Sequence, residues 1–283
     1  MQRILVIQTA FIGDVVLATA LVEKLSQYCP EAEIDFLVRK GNESLLNNNP
    51  HLHEVLTWNK KEKKLRNLFS MLGTIRKRKY DMVINLQRFF ATGLLTGFSK
   101  AKQKIGFDKN PLSFLFTKKI KHIIGEGDQT RHEVERNNDL ISWFTDNTIS
   151  RPKLYPSDAD FASVEQYNQS PYVTMTPNSV WFTKQYPAEK WIELIDRFPK
   201  DLRIYLLGGK ENVADCEQLK SKTTNNNVEV LTGKLSFLQS SALMKDATMN
   251  YVNDSAPLHF ASAMNAPVTA IFCSTVPAFG FTP

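Results

Sequence analysis

Arg3-Ile4-Leu5-Val6-Ile7 is a short run of strand-forming residues, and the turn that closes on Gly13-Asp14 carries it into apolar residues at helical spacing from Val15 to Tyr28. Strand, turn and amphipathic helix in that order are the first half of a β–α–β crossover. The alternation then repeats. Glu33–Val38 and Val55–Trp58 read as strands. Lys61–Lys77 reads as a basic amphipathic helix with Leu65, Leu68, Phe69 and Leu72 on one face. Asp81–Leu86 reads as a buried strand, and Phe89–Phe98 as the helix after it. A basic segment of irregular pattern follows, and His132–Phe144 reads as helix.

Arg151–Asp160 contains Pro152 and Pro156 and has no clear period, which predicts a linker. Beyond it the strands are Tyr172–Thr176, Arg203–Leu207, Val228–Leu231, Met249–Asn253 and Val268–Phe272. The helices between them are Ala188–Phe198, Asn212–Lys222, Phe237–Met244 and Pro257–Met264. Such alternation predicts the α/β class, with mostly parallel sheets covered by helices on both faces. Two Rossmann-like, doubly wound domains are expected, residues 1–155 and 156–283, facing each other across a cleft. Ligands in such sheets bind beyond the carboxyl ends of the strands. No closing helix follows Val268–Phe272 before the chain stops at Pro283, so the second domain is expected to lack its C-terminal end.

The 283 residues are 42% hydrophobic and 23% charged, an ordinary globular composition with enough apolar material for two cores. No apolar run approaches the roughly 20 residues of a membrane-spanning helix, and the N-terminal run is too short for a signal peptide. A cytoplasmic location is expected. Cys29, Cys216 and Cys273 are far apart and form neither a disulfide framework nor a zinc-ligand pattern. Charge is uneven: residues 1–150 carry 23 Lys and Arg against 16 Asp and Glu, a balance of +7, and the remainder carries 12 against 13. The basic excess lies in Lys60–Arg66, Arg76–Lys79 and Lys100–Lys121. A basic half beside a neutral half points to a polyanionic partner for one domain. Lys60–Lys64 contains no aromatic residue and Arg76–Lys79 has only Tyr80 beside it, and no helix-turn-helix, zinc-finger or RNA-recognition signature is present, so nucleic acid is not expected.

Four strand-end turns hold the candidate chemistry. Gly13 permits close approach of a ligand, and Asp14 stands where either a helix N-cap or a general base belongs. In Asn253-Asp254-Ser255-Ala256-Pro257-Leu258-His259, Asp254 or Ser255 can cap a helix whose N-terminus would receive a diphosphate. His259 lies one turn in, where a core histidine is the plain alternative. Thr176-Pro177-Asn178-Ser179, followed by Lys184, can meet phosphate oxygens. Gly208-Gly209-Lys210-Glu211 offers a carboxylate to a ribose or base. No P-loop, HExxH or Cys/His cluster is present, so neither P-loop chemistry nor a metal site is expected.

Together these segments resemble the ADP-heptose:lipopolysaccharide heptosyltransferases, glycosyltransferase family 9. The residues that carry the resemblance are Ile12–Thr19, Lys184-Gln185-Tyr186-Pro187 with Trp191, Leu207-Gly208-Gly209, Leu231-Thr232-Gly233, Asn253–Ala261, and Arg131-His132 with Arg136. The resemblance implies a two-domain GT-B fold. It implies inverting transfer of a heptose from ADP-heptose to the lipopolysaccharide inner core, with no cofactor and no metal. Asp14 and Lys184 would be catalytic. The donor would be held by Gly13, Thr176, Asn178, Lys184, Gly208, Glu211, Asp254, Ser255, Ala256 and His259. Lys60, Lys61, Lys63, Lys64 and Arg88 would meet the anionic, lipid-linked acceptor, placing the protein at the inner face of the cytoplasmic membrane. Ala256 and Asn178 stand where the family often has Gly, and Ala20 where it often has Pro. The first two leave an alternative open, a binding module that has lost catalysis.

Overall fold

The computed structural model describes residues 2–126 and 129–283. The chain divides into two compact units, Met1–Lys153 and Leu154–Pro283. In the first unit the order is β1 (Arg3–Ile7), α1 (Ile12–Tyr28), β2 (Glu33–Arg39), β3 (Glu54–Trp58), α2 (Lys64–Arg78), β4 (Met82–Asn85), α3 (Phe90–Gly97), β5 (Gln103–Phe107) and β6 (Lys118–Ile120). A small antiparallel pair, β7 (Gly125–Glu126) and β8 (Gln129–Thr130), precedes α4 (Glu133–Asp139). The six strands β1 to β6 run parallel in the order β3-β2-β1-β4-β5-β6. This is the dinucleotide-fold order, with its switch point between β1 and β4. Ile4 to Ile7 are fully buried because β1 lies mid-sheet with both faces covered. On one face Leu68, Leu72 and Ile75 of α2 pack with Leu95 of α3 over Leu5, Leu37, Leu56 and Val83.

The second unit opens with α5 (Asp158–Val164) and continues β9 (Tyr172–Thr176), α6 (Ala188–Arg197), β10 (Arg203–Leu206), α7 (Val213–Lys222), β11 (Val228–Val230), α8 (Phe237–Lys245), β12 (Met249–Asn253), α9 (Ala256–Ala263) and β13 (Val268–Ile271). Its five parallel strands run β11-β10-β9-β12-β13, so the switch point lies between β9 and β12. Trp191 and Ile195 of α6 and Cys216 of α7 are buried over Val173, Met175, Ile204 and Leu206.

Four sequence expectations need correction. The irregular basic segment contains β5 and β6; Ile105 and Phe107 are buried, but lysines on the exposed side hide the period. The expected linker ends early: Ser157 Oγ accepts the Asp160 amide at 3.2 Å, and the Asp160 carboxylate accepts the Ser157 amide at 2.9 Å, a capping box that starts α5. The helix expected over His132–Phe144 is α4 and stops at Asp139, giving way to turns. In α2 the buried line runs through 68, 72 and 75, which turns Leu65 and Phe69 outward, 72% and 60% exposed.

Candidate active site

In the first unit the carboxyl edge of the sheet gathers groups from four strands. Helix α1 begins at Ile12, earlier than its apolar period suggests, so Gly13 and Asp14 lie inside its first turn. Gly13 therefore makes no tight turn, and Asp14 is not the N-cap but the third helical residue. Its Oδ2 accepts the Phe11 amide at 3.1 Å. Burial pushes the Asp14 carboxyl up to about 6, helped by the negative charge of Glu133; the Phe11 amide and Arg39 oppose the rise. A carboxylate tuned near neutrality is matched to general-base work.

Around it, Thr9 follows β1 and Gln87 follows β4, the two strands of the switch point. Thr9 Oγ1 donates to Gln87 Oε1 at 2.6 Å. Lys60, just past β3, donates to the Thr9 carbonyl at 3.2 Å and to Thr9 Oγ1 at 2.8 Å, and its ammonium lies 4.9 Å from the Trp58 ring centroid. Burial, reinforced by Arg39, pushes Lys60 down to about 8. Arg39, the last residue of β2, stacks over Phe11 at 4.9 Å. Arg88 acts electrostatically on Glu133 and on His122, which burial, chiefly, holds down at about 4. Glu133 is buried at the start of α4 and accepts Arg136 Nε and Nη2 at 2.9 and 2.6 Å. Arg39 thus acts electrostatically on both Asp14 and Lys60 and links them into one charged group. Lys61, Lys63 and Lys64 stay exposed, without an ion pair among the described residues.

In the second unit three neighbouring strands end in the expected turns. Lys184 Nζ donates to Asp254 Oδ2 at 2.6 Å, and Thr275 Oγ1 donates to the same oxygen at 2.6 Å. Asn253, the last residue of β12, clamps the loop after β9: its Nδ2 donates to the Pro177 carbonyl at 2.6 Å and its Oδ1 accepts the Tyr186 amide at 3.1 Å. Ser255 is the N-cap of α9 but makes no side-chain bond into it, so the first turn keeps its positive end for an anion. Ala256 and Pro257 are the first helical residues, and His259 is buried. Thr176 Oγ1, at the end of β9, is buried with no hydrogen-bond partner among the described residues. Gly208 and Gly233 close the turns after β10 and β11 with a bond from the Gly233 amide to the Gly208 carbonyl at 3.0 Å. Gly233 has φ +75° and a Cβ there would lie 3.0 Å from Lys210 Cα, so only glycine fits. The Glu211 carboxylate folds back over Gly209.

Asn178 stands apart from this group. Its Nδ2 donates to Asp215 Oδ2 at 2.9 Å and its Oδ1 accepts Cys216 Sγ at 3.5 Å, so its side chain ties the loop to α7. Sequence reasoning missed Thr9, Arg39, Gln87, Glu133 and Thr275, and it included Asn253 in a candidate turn without giving its side chain a role. Arg39 is the last residue of its strand, and Thr9 and Gln87 are two residues past theirs; counting from strand ends would have found these three. Another cluster, Asp35, His53 and Glu54, is already bridged by Arg78, which donates to Asp35 at 3.1 Å and to Glu54 at 2.5 and 2.7 Å.

Comparison with known proteins gives the family and the fold. The profile of glycosyltransferase family 9 (heptosyltransferase) matches residues 68–282. Lipopolysaccharide heptosyltransferase 3 of Escherichia coli is 28% identical, the match covering 94% of this chain and 82% of that protein. A family 9 glycosyl transferase structure from Veillonella parvula superposes with a TM-score of 0.90 at 21% identity, covering all of this chain and 84% of that one. The E. coli heptosyltransferase WaaC with ADP-2-deoxy-2-fluoro heptose superposes with a TM-score of 0.78 at 19% identity, covering 98% and 90%. The two parallel sheets are the pair of Rossmann-like domains of the GT-B fold, and the chain belongs to glycosyltransferase family 9, the heptosyltransferases.

Proposed function

We propose that this protein transfers a heptose, or a closely related sugar, from an ADP-sugar to the inner core of lipopolysaccharide, with inversion at the anomeric carbon. The observation that carries the reading is the Lys184–Asp254 pair beside the N-terminus of α9, at the switch point of the second sheet. Lys184 spends one N–H on Asp254 and keeps two for the donor diphosphate. The α9 terminus and Lys184 would stabilise the charge that grows on the departing ADP. Thr176, Gly208 and Glu211 surround the rest of the donor, with Ser255, Ala256 and His259 along α9. The proposed step is drawn without a metal, the charge on the leaving group being met by Lys184 and the α9 terminus.

The first unit would hold the acceptor. Asp14 would take the proton of the attacking hydroxyl, and the oxygen so activated would displace ADP directly from the anomeric carbon. Lys60 and Arg88 would meet acceptor anions, with Lys61, Lys63 and Lys64 further out. An acceptor of this kind is lipid-linked, which places the work at the inner face of the cytoplasmic membrane; among the described residues no helix is long and apolar enough to cross it. The binding-only alternative is not favoured, because the chain belongs to a transferase family and retains Asp14, Lys184, Asp254 and His259. Hydrogen exchange tests the assignment of the donor: ADP should protect the turns at Thr176, Gly208 and Asp254. Protection confined to the Gly13 region would reverse the roles of the two units.

A further inference from the structure

Helix α2 has two apolar stripes, and the core uses only one of them. Leu68, Leu72 and Ile75 are buried, while Leu65 and Phe69 project one turn apart at 72% and 60% exposure. The helix has no acidic residue in its fifteen, against Lys64, Arg66, Arg76, Lys77 and Arg78. Of these, Arg78 is taken by Asp35 and Glu54. Lys61, Lys63 and Lys64 crowd the N-terminal end, where the helix dipole is already positive and Lys63 makes no side-chain cap. Cations at that end are unfavourable in water and are relieved by an anionic surface. Helix α3 packs beside α2 on the same face of the sheet and starts at the same edge, with Phe89 and Phe90 64% and 57% exposed.

We propose that the outer face of α2 docks on an anionic lipid bilayer, with Leu65 and Phe69 entering the headgroup boundary and Lys61, Lys63, Lys64 and Arg66 lying against the headgroups. The inference rests on the reading above that the acceptor is lipid-linked. Charge decides the occupant. A second copy would bring the same basic helix against itself, whereas an anionic membrane satisfies the cations and the apolar pair together. Phe89 and Phe90 extend the apolar rim at the edge that holds Asp14 and Lys60, so docking would bring that edge to the headgroups.

The test is sedimentation with phosphatidylglycerol–phosphatidylethanolamine vesicles and with pure phosphatidylcholine vesicles. The wild type should bind the anionic vesicles and leave the zwitterionic ones. Leu65→Ser with Phe69→Ser should weaken that binding by roughly tenfold to a hundredfold, and each of Lys61→Gln, Lys63→Gln and Lys64→Gln by roughly fivefold at low salt. The double serine variant should keep its thermal unfolding midpoint and its transfer to a deacylated, water-soluble acceptor, and lose transfer to acceptor embedded in vesicles. Vesicle binding unchanged by the serines, equal binding to both lipids, or a dimer that the serines dissociate would each overturn the proposal. Absence of transfer to the soluble acceptor by the wild type would instead overturn the transferase reading, and the vesicle result would stand apart from it.

Discussion

Changing Asp14 to Asn keeps the shape of the side chain and an oxygen for the Phe11 amide, and removes only the charge. The structure gives two magnitudes. Asp14 has a pKa of about 6 against an ordinary 3.8. Keeping it ionised at pH 7 therefore costs the fold on the order of 3 kcal/mol relative to an exposed aspartate. The raised pKa means that the folded state binds the proton more tightly than the unfolded state. The stability this confers is complete below about pH 4 and is lost as pH rises through 6. Asn cannot titrate, so the variant should draw level with the wild type in acid and exceed it at pH 7. Allowing for desolvation of the amide, the gain is about 1–2 kcal/mol, or roughly 2–8 °C in midpoint. Turnover should move the other way, falling by roughly 10²- to 10⁴-fold for loss of a general base. In the wild type kcat/KM should drop about tenfold per pH unit below 6, a limb absent from the residual activity of the variant. Urea unfolding from pH 4 to 8 beside an ADP-release assay reads both. Wild-type turnover, or a variant less stable than wild type at pH 7, would refute the assignment and leave Asp14 as part of the helix start.

Lys184→Ala should weaken ADP by roughly tenfold to a hundredfold in calorimetry and slow transfer as well, since the lost charge acts in ground state and transition state alike; unchanged affinity would remove Lys184 from the donor site. Lys60 should supply an alkaline limb: as it loses its proton through about 8, the acceptor KM should rise, and Lys60→Gln should raise KM at pH 7 and erase that limb while leaving ADP affinity unchanged. Arg78→Ala should lower the unfolding free energy of the first unit by about 3 kcal/mol, because buried Asp35 loses a cation and keeps the uncharged Tyr80 hydroxyl and half-exposed His53 as partners, and should leave ADP binding intact.

Alternation of strands and helices was legible because β1, buried on both faces, reads as the apolar run Ile4–Ile7, because β9 is built of strand-forming residues throughout, and because turn residues punctuate them. β5 and β6 were not legible: β6 is Lys118-Lys119-Ile120, an edge strand whose lysines serve solubility more than packing. The candidate turns of the second unit could be read because they follow strand ends closely, as Asp254 follows β12. Pairings across the sheet could not. Nothing local links Lys184 to Asp254, seventy residues on, or Thr9 to Gln87, which meet only because β4 lies beside β1. The turning of Asn178 toward Asp215 depends on where α7 packs, and no motif encodes it. Leu65 and Phe69 were misread for a related reason. A wide apolar face does not tell which of its two edges meets the core.

Transfer itself is the most direct measurement. Purified protein given ADP-heptose and heptose-deficient inner-core acceptor should release ADP only when both are present, and the product should carry the anomeric configuration opposite to that of the donor. ADP binding without acceptor-dependent release, or a product that retains the donor configuration, would contradict the account.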